Sequence, residues 1–544
     1  MNNAIFEFPY PGNEPVKSYA PGSKERKELR AQLEELRSEV IEIPLIIGGK
    51  EVRTGDMGTV VMPTDHGHVL ATYHKAGPKE VEMAIQAALK AHKTWSEMPW
   101  QERASITLKI AELIATKYRS LLNAATMLGQ GKNPFQAEID AACETIDFLR
   151  FNAEYAGQIY EQQPNSSDGI INRLEYRALE GFVFALSPFN FTAIASNLNL
   201  SPVLMGNVTV WKPATTSIYS NYFLMQIFKE AGVPDGVINF VPGKGSTIGK
   251  VIFDSPDLAG IHFTGSTNTF QQFWKIIGSN IKKYKSYPRI VGETGGKDFI
   301  FAHHNTDPKA VSTAITRGAF EYQGQKCSAA SRAYIPRSIW AEVKKYLAED
   351  IASIKMGCVT EFGNFVNAVI DEAAFDSIAS YIDAANESDN AEVIMGGKYD
   401  KSKGYFIEPT VILVKDPNFI TMEEEIFGPV LSVYVYEDDK FEETLDLCDS
   451  TSPYALTGAI FSQDREVINF MTDKLRYAAG NFYINDKPTG AVVDQQPFGG
   501  ARGSGTNDKA GSYLNLIRWT SPRTMKETFV PPTDYRYPFL SDEE

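Results

Sequence analysis

A cysteine, a glutamate and an asparagine stand in settings that suit attack on a carbonyl carbon. Cys327 lies in YQGQKCSAASR (322–332), behind the flexible Gly324, beside Lys326 and ahead of small residues. A thiol is a strong nucleophile at neutral pH when a nearby charge lowers its pKa or a base takes its proton. Lys326 is read here as the lowering charge. Cysteine is also at home as a small buried hydrophobe, and that reading is kept for Cys143, Cys358 and Cys448. Glu293 lies 34 positions upstream in VGETGGKDF (291–299), closing a strand pattern before a Gly-Gly turn. A carboxylate so placed can stand uncovered in a cleft and take a proton from water; a strand-terminal surface glutamate is the plainer alternative. Asn190, in SPFNF (187–191), sits where a strand meets a helix. Its amide suits an oxyanion or a helix N-cap.

Other residues suit an anionic ligand. HFTGST (262–267) places Gly265 and Ser266 between a strand and a helix, where free N–H groups favour phosphate. Lys212 follows a strand and can reach a ribose or phosphate, or simply lie on the surface. Two glycine-rich stretches carry less. GKGSTIG (243–249) has GxGxxxG spacing instead of the dinucleotide fingerprint, and FGGARGSG (498–505) precedes no clear helix.

The elements that must position these residues show as periodic patterns. FVFALSP (182–188), VTVWKP (208–213), VINFVPG (237–243) and GIHFTG (260–265) are short apolar runs separated by helical stretches. Strand–helix alternation predicts a parallel sheet with crossover helices, which binds ligands at the C-terminal ends of its strands. A second α/β region follows, with strands expected at 289–293, 299–303, 332–336, 410–414, 431–436, 457–461 and 481–485 and helices at 338–353, 370–385 and 464–475. Upstream, 23–40 reads as a solvated surface helix capped by Ser23, 78–128 as at least two helices and 136–160 as one long helix. INRLEYRAL (171–179) and the last 25 residues look extended.

Bulk properties bound the partners. The 544 residues exceed one hydrophobic core, so two large domains are expected. With 53 Lys and Arg against 68 Asp and Glu, the net charge of −15 disfavours nucleic acid and anionic membrane. No apolar run is long enough to span a bilayer, and the first residues resemble neither a secretory nor a mitochondrial signal. A cytoplasmic protein is expected, or a mitochondrial-matrix one if a targeting segment has been removed. Four cysteines without a CxxC pair indicate no metal site and no disulfide framework.

Seven separated elements, in this order, resemble the aldehyde dehydrogenase superfamily: Pro-Phe-Asn at 188–190, WKP at 211–213, FTGS at 263–266, GETGGK at 292–297, GQKCS at 324–328, EEIFGPV at 424–430 and PFGG at 497–500. The resemblance runs from about residue 45 to 525 and implies an α/β fold. That fold has a Rossmann-type dinucleotide-binding domain (1–160 and 179–292, with part of 485–515), an α/β catalytic domain (293–484) and a small β oligomerisation arm (161–178 and 516–544). It implies Cys327 as nucleophile, Glu293 as base for hydrolysis, and Asn190 with the Cys327 N–H as oxyanion donors. Ser187, Lys212, Gly265, Ser266, Thr267, Asn268, Thr269 and Glu425 would line an NAD site, and the usual Glu-Leu-Gly-Gly-Lys is here Glu-Thr-Gly-Gly-Lys. Thr215 stands where many relatives carry an acidic ribose-binding residue.

Longer stretches at 180–207, 320–336, 424–436 and 478–511 are similar to the branch of that superfamily that oxidises L-glutamate γ-semialdehyde to L-glutamate in proline breakdown. This implies that Ser328 and the backbone of Gly490 and Ala491 hold an α-carboxylate, that Phe191 and Phe498 flank the aliphatic carbons, and that Glu144 faces an ammonium. Core packing is the alternative for both phenylalanines. The branch also implies a homodimer or larger even homo-oligomer. A dehydrogenase for another semialdehyde, such as succinic semialdehyde, and a catalytically silent dinucleotide-binding protein are the competing readings.

Overall fold

The structure, a computed structural model, describes residues 6–542. The outermost residues of the expected first domain and arm lie outside that range. Two seven-stranded sheets organise the chain. The first is built on parallel strands Phe182–Leu186 (β1), Thr209–Lys212 (β2), Ile238–Phe240 (β3), Leu258–Thr264 (β4) and Arg289–Glu293 (β5), in the order β5-β4-β1-β2-β3. Every residue of β4 is buried, as is nearly all of β1. Helices cover both faces of such a sheet, which is why its strands read as short, mostly apolar runs, with Asn239 and His262 as buried polar exceptions. Beyond β3 the sheet is extended by an antiparallel hairpin, Leu45–Ile47 with Lys50–Val52. Its turn residues Gly48 and Gly49 both have positive φ, 56° and 76°, as a two-residue hairpin turn demands.

One sequence expectation needs correcting here. RIVGE (289–293), grouped with the second region, is the edge strand of the first sheet, pairing along β4 from Gly260↔Arg289 to Thr264↔Glu293. A boundary between 292 and 293 therefore cuts a strand, and residues 294–297 are the stretch that links the first sheet to the second.

The second sheet comprises Asp298–Ala302 (β6), Ala330–Pro336 (β7), Thr410–Val414 (β8), Val430–Tyr436 (β9), Thr457–Phe461 (β10) and Asn481–Ile484 (β11), all parallel, in the order β8-β9-β7-β6-β10-β11. Ala391–Met395 adds an antiparallel edge beside β8. Separate apolar cores lie on its two faces.

Two helical readings also change. The helix Lys24–Ser38, capped by Ser23, is not wholly solvated, because Leu29, Leu33 and Leu36 are buried along one stripe. The stretch expected as one helix at 136–160 contains a π-helical segment, Glu138–Glu144, before the α-helix Thr145–Glu161. Such wide turns often mark functional positions, and this one ends on Glu144. The extended segments Ile170–Arg177 and Ser521–Thr528 pair antiparallel as a two-stranded ribbon.

Candidate active site

The first sheet reverses direction of strand addition between β1 and β4, and the C-terminal ends of its strands flank that point. Ser187 follows β1, Lys212 ends β2, Gly265 and Ser266 follow β4, and Glu293 ends β5. The second sheet meets this crevice with the N-terminal ends of interior strands. Cys327 precedes β7, Glu425 precedes β9, and Thr294–Lys297 leads directly into β6. The rule that parallel sheets present their C-terminal ends thus describes half of the site. The other half comes from loops entering strands.

Cys327 faces two adjoining hollows. One is a cavity of about 340 Å³ that Cys327 lines together with Glu293, Glu144, Phe191, Ser328, Gly490, Ala491 and Phe498. The other is a small recess shared with Gly296, Asp298, Glu425 and Phe427. Sulfur and carboxylate, distant in sequence, therefore share one cavity wall, and both phenylalanines line it instead of packing wholly in a core.

The loop carrying the sulfur is held in a costly conformation. Tyr322, Gln323 and Gly324 have consecutive positive φ values of 52°, 54° and 67°, a conformation non-glycine residues rarely adopt. The surroundings enforce it. The Gln323 amide donates to the carbonyls of Gly131 and Ala368, each at 2.9 Å, and its oxygen accepts from the Asn367 N–H at 3.0 Å. A Cβ on Gly324 would stand 2.1 Å from the Gly428 carbonyl, so the GQKCS and FGPV elements are packed backbone on backbone.

Lys326 does not serve as the charge that lowers the thiol pKa. Its ammonium is buried in an ion pair with Glu321 at 3.0 Å. Burial, with Asp298, Glu425, Glu293 and Glu144 nearby, pushes the Cys327 thiol well above its usual value.

Glu293 is held by the glycine-rich segment set aside in the sequence. The Gly500 N–H donates to Glu293 Oε2 at 2.9 Å. A Cβ on Gly499 would lie 3.1 Å from Oε1, and one on Gly505 3.0 Å from Oε2. FGGARGSG is thus a backbone cradle for a carboxylate, and its glycines leave room for that approach. Burial raises the Glu293 carboxyl well above its usual value, against the pull of the Gly500 N–H and the Lys509 ammonium.

Asn190 is buried, and its Nδ2 donates to the Gln325 carbonyl at 3.1 Å, tying it to the cysteine loop. It does not cap the following helix. That helix, Thr192–Leu204, is capped by Asp140, whose carboxylate accepts from the N–H groups of Thr192 and Ala193 at 3.0 and 2.8 Å and pairs with Lys132 at 2.7 Å. The Lys132 ammonium lies 3.9 Å from the Phe191 ring centroid and 4.4 Å from that of Tyr322. It therefore locks the two loops together.

Next to Cys327 on the cavity wall, the Ser328 and Thr489 hydroxyls are 2.7 Å apart. Gly490 has φ +95°, and Lys487 stands over it, its ammonium bonded to the Thr489 carbonyl at 2.9 Å. Lys487, Thr489 and Arg317 also line the cavity and were not singled out in the sequence. A substrate carboxylate calls for a cation nearby, and NDKPTGA offers one beside Gly490. Burial and Asp140 lift the Glu144 carboxyl to about 8, while Lys132 opposes the shift.

The residues expected to hold a dinucleotide fit that role unevenly. The Lys212 ammonium is nearly buried and forms no ion pair among the described residues, and burial lowers it to about 8. An anionic or polyhydroxylated ligand would supply its missing partner. The helix Thr267–Asn280 points its N-terminus into the same crevice, with Ser266 capping it through the Thr269 N–H and Asn268 exposed. Glu425 Oε1 is oriented by the Gly296 N–H at 2.9 Å. Ser187 and Thr267 are already engaged, the first accepting from Trp211 Nε1 at 2.9 Å and the second accepting from the Gly295 N–H at 3.3 Å.

Among the described residues no helix is long and apolar enough to cross a membrane, and no cluster of side chains could hold a metal ion. Comparison with known proteins matches residues 52–524 to the aldehyde dehydrogenase family. A mitochondrial delta-1-pyrroline-5-carboxylate dehydrogenase from Dictyostelium discoideum is 54% identical over 540 residues, covering 99% of this chain and 97% of its own. The human mitochondrial enzyme of the same name is 49% identical over 529 residues, covering 97% and 94%. The crystal structure of the Mycobacterium tuberculosis delta-pyrroline-5-carboxylate dehydrogenase bound with NAD superposes with a TM-score of 0.96 at 50% identity, covering 99% of this chain and all of that one. With the cysteine, the cradled glutamate and the strand-end crevice in place, the chain belongs to the aldehyde dehydrogenase family.

Proposed function

We propose that this protein oxidises L-glutamate γ-semialdehyde, the open form of delta-1-pyrroline-5-carboxylate, to L-glutamate with NAD. One observation carries the reading. A single cavity holds a cysteine and a glutamate for aldehyde oxidation together with a Gly490–Ala491 turn, Ser328 and Glu144, groups suited to an amino-acid head. Cys327 Sγ forms a bond to the aldehyde carbon while its proton passes to a base. The negative oxygen is held by the Cys327 N–H and by Asn190. Lys212, Ser266 with the helix N-terminus behind it, and Glu425 would hold NAD, which would supply the acceptor for the hydride that leaves the former aldehyde carbon as its C–O bond becomes a carbonyl. The acyl group left on sulfur is released when Glu293 takes a proton from water and the resulting hydroxide displaces the thiolate. Ser328 with the N–H groups of Gly490 and Ala491 holds the α-carboxylate, Phe191 and Phe498 confine the carbon chain, and Glu144 faces the ammonium.

Parallel assays with pyrroline-5-carboxylate and succinic semialdehyde, each with NAD and NADP, test the assignment. A clear preference for the first aldehyde with NAD is expected, and equal rates on the two aldehydes would defeat it. Removing an oxyanion donor commonly costs ~10²–10³ in kcat. Asn190→Ala should lose activity on that scale with near-normal NAD binding, and a loss under threefold would remove Asn190 from this role.

We also propose assembly as a homodimer or larger even oligomer. A two-stranded ribbon is marginal by itself, and Phe529, Val530 and Tyr535 beyond it are 56%, 83% and 86% exposed. Light scattering decides this. For location, the cytoplasm and the mitochondrial matrix both fit, two of the relatives being named mitochondrial; cell fractionation separates them.

A further inference from the structure

The segment Asn13–Tyr19 lies outside the region matched by the family model, which begins at residue 52, yet it helps wall the substrate cavity. Val16 lines that cavity while 51% exposed, so it stands at the mouth. On one side the Glu14 N–H and the Asn13 amide donate to the two carboxylate oxygens of Asp147, at 2.7 and 3.0 Å. Asp147 lies one helical turn beyond Glu144. On the other side the Asn13 amide donates to the Val493 carbonyl at 2.9 Å and its oxygen accepts from Gln495 Nε2 at 2.8 Å. Val493 follows closely on Gly490 and Ala491. The segment is fastened further by the Glu14 carboxylate, which spans Arg119 at 2.5 Å and Arg150 at 2.7 Å. The Lys17 N–H and the Tyr19 hydroxyl close on Glu138 at 2.9 and 2.8 Å.

Asn13 therefore joins the wall bearing Glu144 to the turn bearing Gly490 and Ala491. Two-point recognition of an ammonium and a carboxylate works only when the two receiving groups keep a fixed separation. Attack by sulfur and hydrolysis of the acyl group need neither. We infer that this N-terminal strap is a specificity element, with Asn13 a positioning residue that selects aldehydes carrying an α-amino-acid head. The Dictyostelium relative aligns over 99% of this chain, strap included, whereas the general family match omits it. The inference rests on the glutamate-semialdehyde reading above.

Asn13→Ala, Gln495→Ala and the double variant, assayed with pyrroline-5-carboxylate and with butanal at saturating NAD, test it. Losing such a hydrogen bond should raise KM for pyrroline-5-carboxylate about three- to tenfold with kcat within about twofold. The kcat/KM for butanal should stay within about twofold, because that substrate has no head group to place. The double variant should be no worse than Asn13→Ala, since both act through one bridge. Gln495 is exposed, so its variant carries the test if Asn13→Ala lowers the Tm. Equal losses on both aldehydes, or no change on either, would overturn the inference. A wild-type protein with equal kcat/KM for the two aldehydes would instead sink the substrate assignment beneath it.

Discussion

Cys327→Ala should lower NADH formation by about 10⁴-fold or more, as loss of a covalent nucleophile does elsewhere, while NAD binding measured by fluorescence titration is kept. The sulfur accepts and donates no hydrogen bond among the described residues and borders a cavity. Its loss should therefore change stability by less than about 1 kcal/mol. Cys358→Ala is the control. That thiol contacts Thr64 and Thr360 and does not line the cavity, so activity should be untouched. If the Cys327 variant keeps more than a few per cent of wild-type turnover, covalent catalysis through this residue fails. The raised thiol pKa adds a second expectation. Alkylation of the unliganded protein by iodoacetamide at neutral pH should be slow and should quicken as pH rises, because little thiolate is present without a base to take the proton.

The two sheets were legible because buried parallel strands carry their signal locally. FVFAL is apolar on both faces and GIHFT is compact and poor in charge, they end at Ser-Pro and at Gly, and each is followed by a helical pattern. What stayed hidden was pairing across long stretches of chain. Periodicity says that RIVGE is a strand, but only the crossover by helix 267–280 brings it back beside β4. The charge beside Cys327 was visible as Lys326, yet its partner Glu321 depends on how a strained loop turns back. The FGGARGSG segment looked like a failed phosphate loop, since composition shows only that backbone can approach something closely. That the something is Glu293, more than two hundred positions away, is a fact of tertiary packing. The strap at Asn13 was hidden for the same reason: its partners Asp147 and Gln495 belong to different elements, and no local pattern links them.

Glu293→Gln should separate the two half-reactions. A general base toward water contributes roughly 10²–10⁴ in rate, so steady-state turnover should fall by about that factor. The glutamine keeps the size of the side chain and an oxygen that can accept from the Gly500 N–H, so the cradle survives. If Glu293 acts only on water, the first turnover remains fast. A burst of NADH stoichiometric with enzyme should appear, and intact-mass analysis should find the glutamyl adduct on Cys327. Because the thiol is held above its usual pKa, Glu293, a carboxylate lining the same cavity, is also a candidate to take the sulfur proton. In that case the burst persists in size but slows, and raising the pH restores its rate by ionising the thiol directly. Wild-type kcat has its own signature. The raised carboxyl must be ionised to work, so turnover should fall as pH drops through a value above the ordinary carboxylate range, and that limb should vanish in the glutamine variant. A variant with wild-type steady-state turnover, or one that loses NAD binding along with the burst, would show that Glu293 shapes the site without acting as its base.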